Sequence, residues 1–267
     1  MAQDLTPGFL LTAMRQQRPL VHCITNYVAM NIAANVLLAA GASPAMIHAE
    51  QEAEDFAAIA GALTVNIGTL SADWLVGMHA AVRGATGAGR PWVLDPVAHN
   101  ATSFRSEAAA ALVALSPTII RGNASEIIAL SGSASRGQGV DSRDPVAAAE
   151  DAARWIASER GSVVAVTGAV DFVTDGERAL RIQGGSPLMP QVTALGCSLT
   201  CLVGAFAAAF PGNALEAATG ALAMFAAAGE KAARQAEGPG SFGWRFLDAL
   251  ASIDGATLDA ESRVEPA

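Results

Sequence analysis

The sequence predicts an α/β protein in which a mostly parallel sheet is covered by helices on both faces. Short continuous apolar runs alternate with helical segments, and most of the runs end in glycine, proline or a small polar residue. Hydrophobic residues make up 52% of the 267 residues and charged residues only 15%, against about 25% in an average domain. This composition excludes intrinsic disorder and indicates much buried surface, as in an oligomer. Neither a linker nor a repeat divides the chain, so we expect residues 1–267 to form a single domain.

Six apolar runs are predicted to form the parallel strands, over residues 19–24, 45–48, 62–67, 92–94, 118–120 and 162–166. Residues 171–176 and 178–182 are typical of a hairpin at the sheet edge, with Asp175 and Gly176 in the turn. Helices are predicted over 26–40, from 50 onward, from Ser71 toward Gly84, and over 196–210, 214–235 and 241–252. The glycine-rich residues 238–243 follow a helix and not a strand, so we interpret them as a break between two helices.

The charge pattern excludes several classes of protein. The net charge is −9, so nucleic acid is not expected as a partner. Lys231 is the sole lysine and does not stand in the pattern G-x-x-x-x-G-K-[ST], so a P-loop ATPase is excluded. The longest uncharged apolar run, residues 194–210, falls short of the roughly 20 residues of a membrane span. The N-terminus lacks the basic segment of a secretory signal. We therefore expect a cytoplasmic protein that does not bind membranes.

The residues that follow the strands are the first candidates for a functional site. In an open parallel sheet, ligands bind outside the carboxyl ends of the strands. Small and polar residues gather at these positions, namely Thr25, Asn26, Met46, Asn66, Gly68, Asp95, Arg121, Asn123, Glu126, Thr167 and Gly168.

Three strand ends carry groups suited to a nucleotide, and each also has a purely structural explanation. Glu126 could hold Mg²⁺ through water while Arg121 reaches a phosphate, but Asn123 and Glu126 also fit a helix-capping box. The Asp95 side chain could form an Asx turn with the following backbone, or it could be a second acidic group near the phosphate that is transferred or its metal ion. Thr167 could donate its hydroxyl to a phosphate, or it could precede a simple turn at Gly168.

The helix start around Cys197 is a predicted anion site, because free backbone amides and the helix dipole favour negative charge there. The same position predicts a lowered pKa for the Cys197 thiol, although the residue could merely cap a core helix. Cys197 and Cys201 are one turn apart but lack a third metal ligand. His22 and His48 are interpreted as hydrogen-bonded core histidines.

Taken in order, these segments resemble the hydroxyethylthiazole kinases of thiamine salvage over nearly the whole chain. The segments are residues 19–26 (PLVHCITN), 41–46 (GASPAM), 66–70 (NIGTL), 94–97 (LDPV), 121–126 (RGNASE), 166–168 (VTG), 196–197 (GC) and 237–242 (EGPGSF). The resemblance implies a ribokinase-like three-layer α/β/α fold. It also implies transfer of phosphate from MgATP to the primary alcohol of 4-methyl-5-(2-hydroxyethyl)thiazole, and a homotrimer with active sites between subunits.

The resemblance also implies roles for individual residues. Met46, Asn26 and Ala194 are expected to contact the thiazole, and Arg121, Thr167, Asn123 and Gly168 are expected to contact ATP. Glu126 and Asp95 are expected at the magnesium ion. Gly196 and Cys197 are expected beside the phosphoryl group that is transferred. Cys197 stands where ribokinase relatives place an aspartate taken to be the base.

One turn departs from the family pattern. The family has Gly-Thr-Gly-Cys where this chain has Ala194, Leu195, Gly196 and Cys197. A methyl group at 194 is unfavourable if that position needs a positive φ, and Leu195 could narrow the pocket. Two alternatives therefore stay open: a weakened kinase that only binds the thiazole or the nucleotide, and a kinase of another alcohol such as hydroxymethylpyrimidine.

Overall fold

The computed structural model describes residues 5–132 and 145–267, and its centre is a nine-stranded sheet. The strands are β1 Leu20–Ile24, β2 Ser43–Ala45, β3 Ala62–Asn66, β4 Trp92–Asp95, β5 Ile119–Asn123, β6 Val163–Thr167, β7 Val170–Thr174, β8 Ala179–Gln183 and β9 Arg263–Pro266. Their order is β2-β1-β3-β4-β5-β6-β7-β8-β9. All pairs from β2 to β6 are parallel, and β7, β8 and β9 continue the sheet antiparallel. The predicted mostly parallel sheet is confirmed.

Helices cover both faces of this sheet. They are α1 Pro7–Gln17, α2 Met30–Ala40, α3 Glu50–Ile59, α4 Ala72–Gly87, α5 Ser103–Val113, α6 Ala124–Leu130, α7 Pro145–Arg160, α8 Leu195–Ala209, α9 Ala214–Ala233, α10 Pro239–Ser252 and α11 Gly255–Glu261. One apolar cluster joins α1, α2, α8, α9 and α10 to one face, and a second joins α3, α4, α5 and α7 to the other. The result is a three-layer α/β/α architecture. Among the described residues, no helix is both long and apolar enough to cross a bilayer.

Helix α8 runs closer to the sheet than a helix with ordinary side chains could. A Cβ atom added at Gly204 would come within 2.5 Å of the Thr64 side chain on β3. Because Gly204 lacks that atom, the helix packs directly over β1, β3 and β4, with Leu202 and Phe206 fully buried. This contact fixes where the first turn of α8 lies relative to the strand ends.

Several predicted boundaries were wrong. Strand β2 spans residues 43–45, not 45–48; Pro44, which has no amide hydrogen, is tolerated because β2 is an edge strand. Met46 therefore follows the strand, and His48 lies in the loop before α3. The helix predicted from residue 26 begins at Met30, because the Asn26 side chain binds the amides of Val28 and Ala29 and forms a turn first.

The hairpin of β7 and β8 was predicted correctly, but it does not form the sheet edge. β9, from the C-terminal segment, pairs with β8 and covers it. Ser71 caps α4 as predicted, by accepting the Trp74 amide. The glycine-rich segment does separate two helices, but only Gly238 lies outside α10; Gly240 and Gly243 are inside it.

Candidate active site

The candidate site is centred on Asp95, the last residue of β4, which is fully buried. Its Oδ2 accepts hydrogen bonds from Asn66 Nδ2 on β3 (2.7 Å) and from Thr200 Oγ1 on α8 (2.7 Å). Its Oδ1 is buried and finds no hydrogen-bond partner among the residues that the structure describes. A buried carboxylate oxygen without a partner is costly, so this atom marks a position where a ligand group would be stabilising.

A chain of side-chain amides connects Asp95 to Cys197. Asn66 Oδ1 accepts a bond from Asn26 Nδ2 (2.8 Å), and the same Nδ2 lies 3.4 Å from Cys197 Sγ. Asn26 cannot be turned over, because its Oδ1 already accepts the amides of Val28 and Ala29. The Asn26 side chain therefore presents a donor to the Cys197 sulfur.

Arg121 supplies the positive charge of the site. It is buried on β5, its Nη2 donates to Thr167 Oγ1 (2.6 Å), and its Nη1 is 3.7 Å from Asp95 Oδ2. A Cβ atom added at Gly196 would lie 3.0 Å from Nη1. The guanidinium therefore touches the first turn of α8, and any side chain at position 196 would force it to shift.

The first turn of α8 offers backbone donors beside that guanidinium. The first intrahelical bond runs from the Ser198 amide to the Ala194 carbonyl, so the preceding amides of the helix have no intrahelical acceptor. Ala194 adopts φ 61° and ψ 12°, the left-handed conformation that turns the chain into the helix. Helix amides next to an arginine form an anion site.

A cavity of about 700 Å³ opens beside this anion site, large enough for a nucleotide. Its polar wall comes from the ends of β5, β6 and β7, and its apolar wall from α8, α9 and the segment after β8. The lining includes Arg121, Asn123, Thr167, Gly168, Asp171, Pro187, Met189, Leu195, Gly196, Leu199 and Phe225.

Burial dominates the protonation equilibria of the site. It raises the pKa of Asp95 to about 6, although Arg121 and the Thr200 and Asn66 hydrogen bonds oppose the shift. Burial likewise raises the pKa of Asp171 to about 6. For Cys197, burial and the neighbouring Asp95 charge raise the pKa to about 11. The predicted lowering of the Cys197 pKa was therefore wrong, because desolvation outweighs the helix dipole.

The chain is similar to known proteins in sequence and in fold. A sequence model of the Hydroxyethylthiazole kinase family matches residues 11–255. The chain belongs to the hydroxyethylthiazole kinase family. It is 70% identical over its full length to a protein of Rhizobium leguminosarum bv. trifolii, 100% of which is covered, and that protein is named hydroxyethylthiazole kinase. A protein of Cereibacter sphaeroides with the same name is 62% identical, over 97% of this chain and 98% of its own.

Solved structures confirm the fold. The hydroxyethylthiazole kinase structure from Pyrococcus horikoshii is 39% identical and superposes with a TM-score of 0.90, covering 98% of both chains. The pyridoxal kinase of Staphylococcus aureus in complex with AMP-PCP gives a TM-score of 0.63 at 16% identity, with 93% of this chain and 98% of that chain covered. At that identity the likeness shows the fold alone. The predicted ribokinase-like fold is confirmed.

The structure gathers most of the family-implied residues at the carboxyl edge of the sheet. Arg121, Thr167, Gly196, Asn123 and Gly168 line one cavity, and the contacts above link Asn26, Cys197 and Asp95 to it. Met46 is half-buried directly after β2, the strand next to β1. Leu195 lines this cavity without filling it, and the rest of its side chain is packed in the apolar core.

Glu126 also has the helix-capping role that the sequence offered as its structural explanation. Asn123 and Glu126 form a capping box at α6, with the Asn123 side chain accepting the Glu126 amide and Glu126 Oε2 accepting the Asn123 amide. Glu126 Oε1 accepts the amide of Ala98. Within the described chain, no group of three or more His, Cys, Asp or Glu residues is arranged to hold a metal ion. A direct Glu126–metal bond would compete with these two amides.

Sequence reasoning missed three residues of this region. Thr200 lies one turn after Cys197, a spacing that places both on the same face of α8. Arg105 on α5 donates to the carbonyls of Ile67, Gly68 and Val97 and so fixes the loops after β3 and β4. Asp171 lies inside the predicted hairpin, where an acidic residue gives no signal of a cavity.

Proposed function

We propose that the protein transfers the γ-phosphoryl group of ATP to the primary alcohol of 4-methyl-5-(2-hydroxyethyl)thiazole. The full-length identity to proteins named hydroxyethylthiazole kinase supports this assignment. The observation that carries it is the anion site, where Arg121 and the first amides of α8 meet at the mouth of a nucleotide-sized cavity. Phosphoryl transfer depends mostly on positioning and charge neutralisation, which this site provides.

In this proposal ATP occupies the cavity with its phosphates toward α8. Arg121 and the Thr167 hydroxyl hold phosphate oxygens, and the amides of Gly196 and Cys197 receive the charge that develops during transfer. Asn123 and Gly168 border the nucleotide at the ends of β5 and β6. The amide of Gly168 already donates to Asp171 Oδ1 (2.9 Å), so Gly168 contributes its small size and not its amide.

The alcohol approaches from the opposite side of the anion site. Met46, Asn26 and Ala194 border it, and its hydroxyl lies next to Cys197. The hydroxyl oxygen forms a bond to the γ-phosphorus while the bond to the β-phosphate oxygen breaks, and the hydroxyl proton leaves to a phosphoryl oxygen. A thiol with a pKa near 11 is not ionised at neutral pH, so Cys197 positions the hydroxyl and is not the base.

The residues fit a magnesium ion held largely by the nucleotide. Mg²⁺ is usually bound by one or two carboxylates together with phosphates and water, which does not require a protein cage. Asp95 Oδ1 is a buried carboxylate oxygen with no hydrogen-bond partner in the described chain, and Glu126 would contact the ion through water. The ion would neutralise the charge on the β- and γ-phosphates.

We further propose a cytoplasmic homotrimer whose chains each form one domain. Tyr27, Val28 and Leu38 are more than half exposed and apolar, which supports burial against another copy. Three free cysteines suit a reducing compartment. The continuous sheet of the described residues supports a single domain. Sedimentation velocity should give a species of three chains, and a monomer would contradict the proposal.

The activity is tested by incubating the pure protein with MgATP and the thiazole alcohol. Equal amounts of ADP and of the phosphate ester should form, and Arg121→Ala should abolish their formation. The matched control is Arg83→Ala, which removes an exposed arginine on α4 paired with Glu54 and should leave turnover unchanged. Absence of turnover at millimolar alcohol would overturn the proposed function.

A further inference from the structure

We infer that Asp171 is a specificity residue that binds a ribose hydroxyl of the nucleotide and thereby selects ribonucleotides. This inference rests on the proposed function only in placing a nucleotide in the cavity beside α8. The carboxylate of Asp171, the second residue of β7, forms part of the wall of that cavity together with Thr167 and Gly168.

The Asp171 carboxylate is held in place on one side and unsatisfied on the other. Its Oδ1 accepts the Gly168 amide at 2.9 Å, which fixes the side chain against the turn between β6 and β7. In the described part of the chain, no arginine, lysine or histidine forms an ion pair with it, and no hydrogen bond reaches Oδ2. A partly buried carboxylate is stabilised by further donors when it is ionised, and a ligand in the cavity would supply them at Oδ2.

The neighbours of Asp171 indicate which part of the nucleotide supplies those donors. Phosphate oxygens are negatively charged acceptors, so they are repelled by the carboxylate and belong beside Arg121 and α8. The positive charge of Arg121 acts on the Asp171 carboxyl and opposes the rise in its pKa. The carboxylate also accepts the amide of Gly168, the residue after Thr167. The group next to the phosphates in a nucleotide is the ribose, whose 2′ and 3′ hydroxyls are donors. An acidic residue accepts a ribose hydroxyl in the same way in dinucleotide-binding α/β folds.

The opposite wall completes the argument. Pro187, Met189, Leu199 and Phe225 are apolar and suit the flat faces of a base, but they provide no side-chain acceptor for a sugar hydroxyl. Of the cavity-lining residues, Asp171 is the only carboxylate in the part of the chain that the structure describes. Ser186 also lines the cavity, but its hydroxyl oxygen already accepts the Leu188 amide. The sugar is therefore bound from the β7 side of the cavity.

The test is titration calorimetry on the full-length protein with Mg²⁺ and ADP, 2′-deoxy-ADP, 3′-deoxy-ADP or inosine diphosphate. The wild type should bind ADP about tenfold more tightly than at least one deoxy analogue, as expected for a hydrogen bond to a charged group. Asp171→Ala should bind ADP and that analogue equally. Asp171→Asn keeps an acceptor for the Gly168 amide, so it should remain folded and retain part of the preference. Asp248→Asn, which removes an exposed carboxylate on α10, should behave as the wild type.

Three results would overturn the inference: no preference in the wild type, an unchanged preference in folded Asp171→Ala, or a loss of discrimination only against inosine diphosphate. Thiazole phosphorylation is measured on the same samples. If a ribose preference depends on Asp171 in a protein that does not phosphorylate the thiazole, the inference stands and the proposed function fails. If no nucleotide binds, both fail.

Discussion

Replacing Ala194 by glycine should stabilise the protein without changing the path of its backbone. Ala194 precedes α8 with φ 61° and ψ 12°, a left-handed conformation that the methyl group makes unfavourable. Glycine adopts the same angles without that penalty. The amides of Gly196 and Cys197 therefore keep their positions, and we expect kcat to stay within about twofold of the wild type, since the anion site is unaltered.

The size of the effect follows from two opposing terms. The left-handed conformation costs an alanine about 1–2 kcal/mol. Glycine loses about 0.5–1 kcal/mol more than alanine in backbone entropy on folding. The difference is a stabilisation of up to about 1.5 kcal/mol, which corresponds to an increase in Tm of up to about 6 °C for a chain of this size.

The assay is equilibrium denaturation in urea together with thermal unfolding, followed by a turnover measurement. Ser116→Gly is the matched control, because Ser116 also has a positive φ (55°) but is exposed. It lies just before β5, at the amino-terminal ends of the parallel strands and therefore away from the site. Both variants should gain stability. If Ser116→Gly gains and Ala194→Gly loses stability, the strain assigned to residue 194 is wrong.

Three further predictions concern Gly196, Cys197 and Asp95. Gly196→Ala places a methyl group 3.0 Å from the Arg121 guanidinium. Initial rates should show that it raises the KM for ATP about tenfold and the KM for the alcohol less; equal changes in the two KM values would contradict the placement of the phosphates. Cys197→Ser should have a kcat within about tenfold of the wild-type value. The wild-type pH–rate profile should show no ionisation between about pH 8 and 9, because the pKa of the Cys197 thiol is near 11. An inflection in that range that the serine variant lacks would show that Cys197 is the base. Asp95 has a folded pKa near 6, above its ordinary value, so the native state binds this proton more tightly and its contribution to stability falls as pH rises from about 4 to 6. The stability of Asp95→Asn relative to wild type should therefore increase over that range in urea titrations, and a decrease would refute the assigned shift.

The alternation of apolar runs with helical segments was enough to predict the sheet, because buried parallel strands leave a continuous apolar signal. β1, β3 and β6 appear within a residue or two of their predicted bounds. β9 gave no such signal, since residues 263–266 are mostly exposed and pair only at the sheet edge. β2 was shifted because the apolar residues 45–48 include a loop held by the bond between His22 Nε2 and the Ile47 carbonyl.

The candidate site was predictable to the extent that strand ends converge in a parallel sheet. Asp95 and Thr167 end β4 and β6, and Arg121 lies two residues before the end of β5, which runs between them, so their proximity follows from topology. The protonation of Cys197 did not follow, because its pKa depends on burial and on Asp95, which is distant in sequence. Asp171 was missed for the same reason: only the folded hairpin brings it to the cavity.

The central claim is that the first turn of α8 and Arg121 together receive the phosphoryl group that passes from nucleotide to alcohol. A crystal structure with ADP, aluminium fluoride, Mg²⁺ and the thiazole alcohol tests it most directly. The fluoride group should lie within hydrogen-bond distance of the Gly196 and Cys197 amides and of Arg121, with the alcohol oxygen in line beside Cys197. A fluoride group bound away from α8, with the alcohol on the far side of Asp95, would contradict the account.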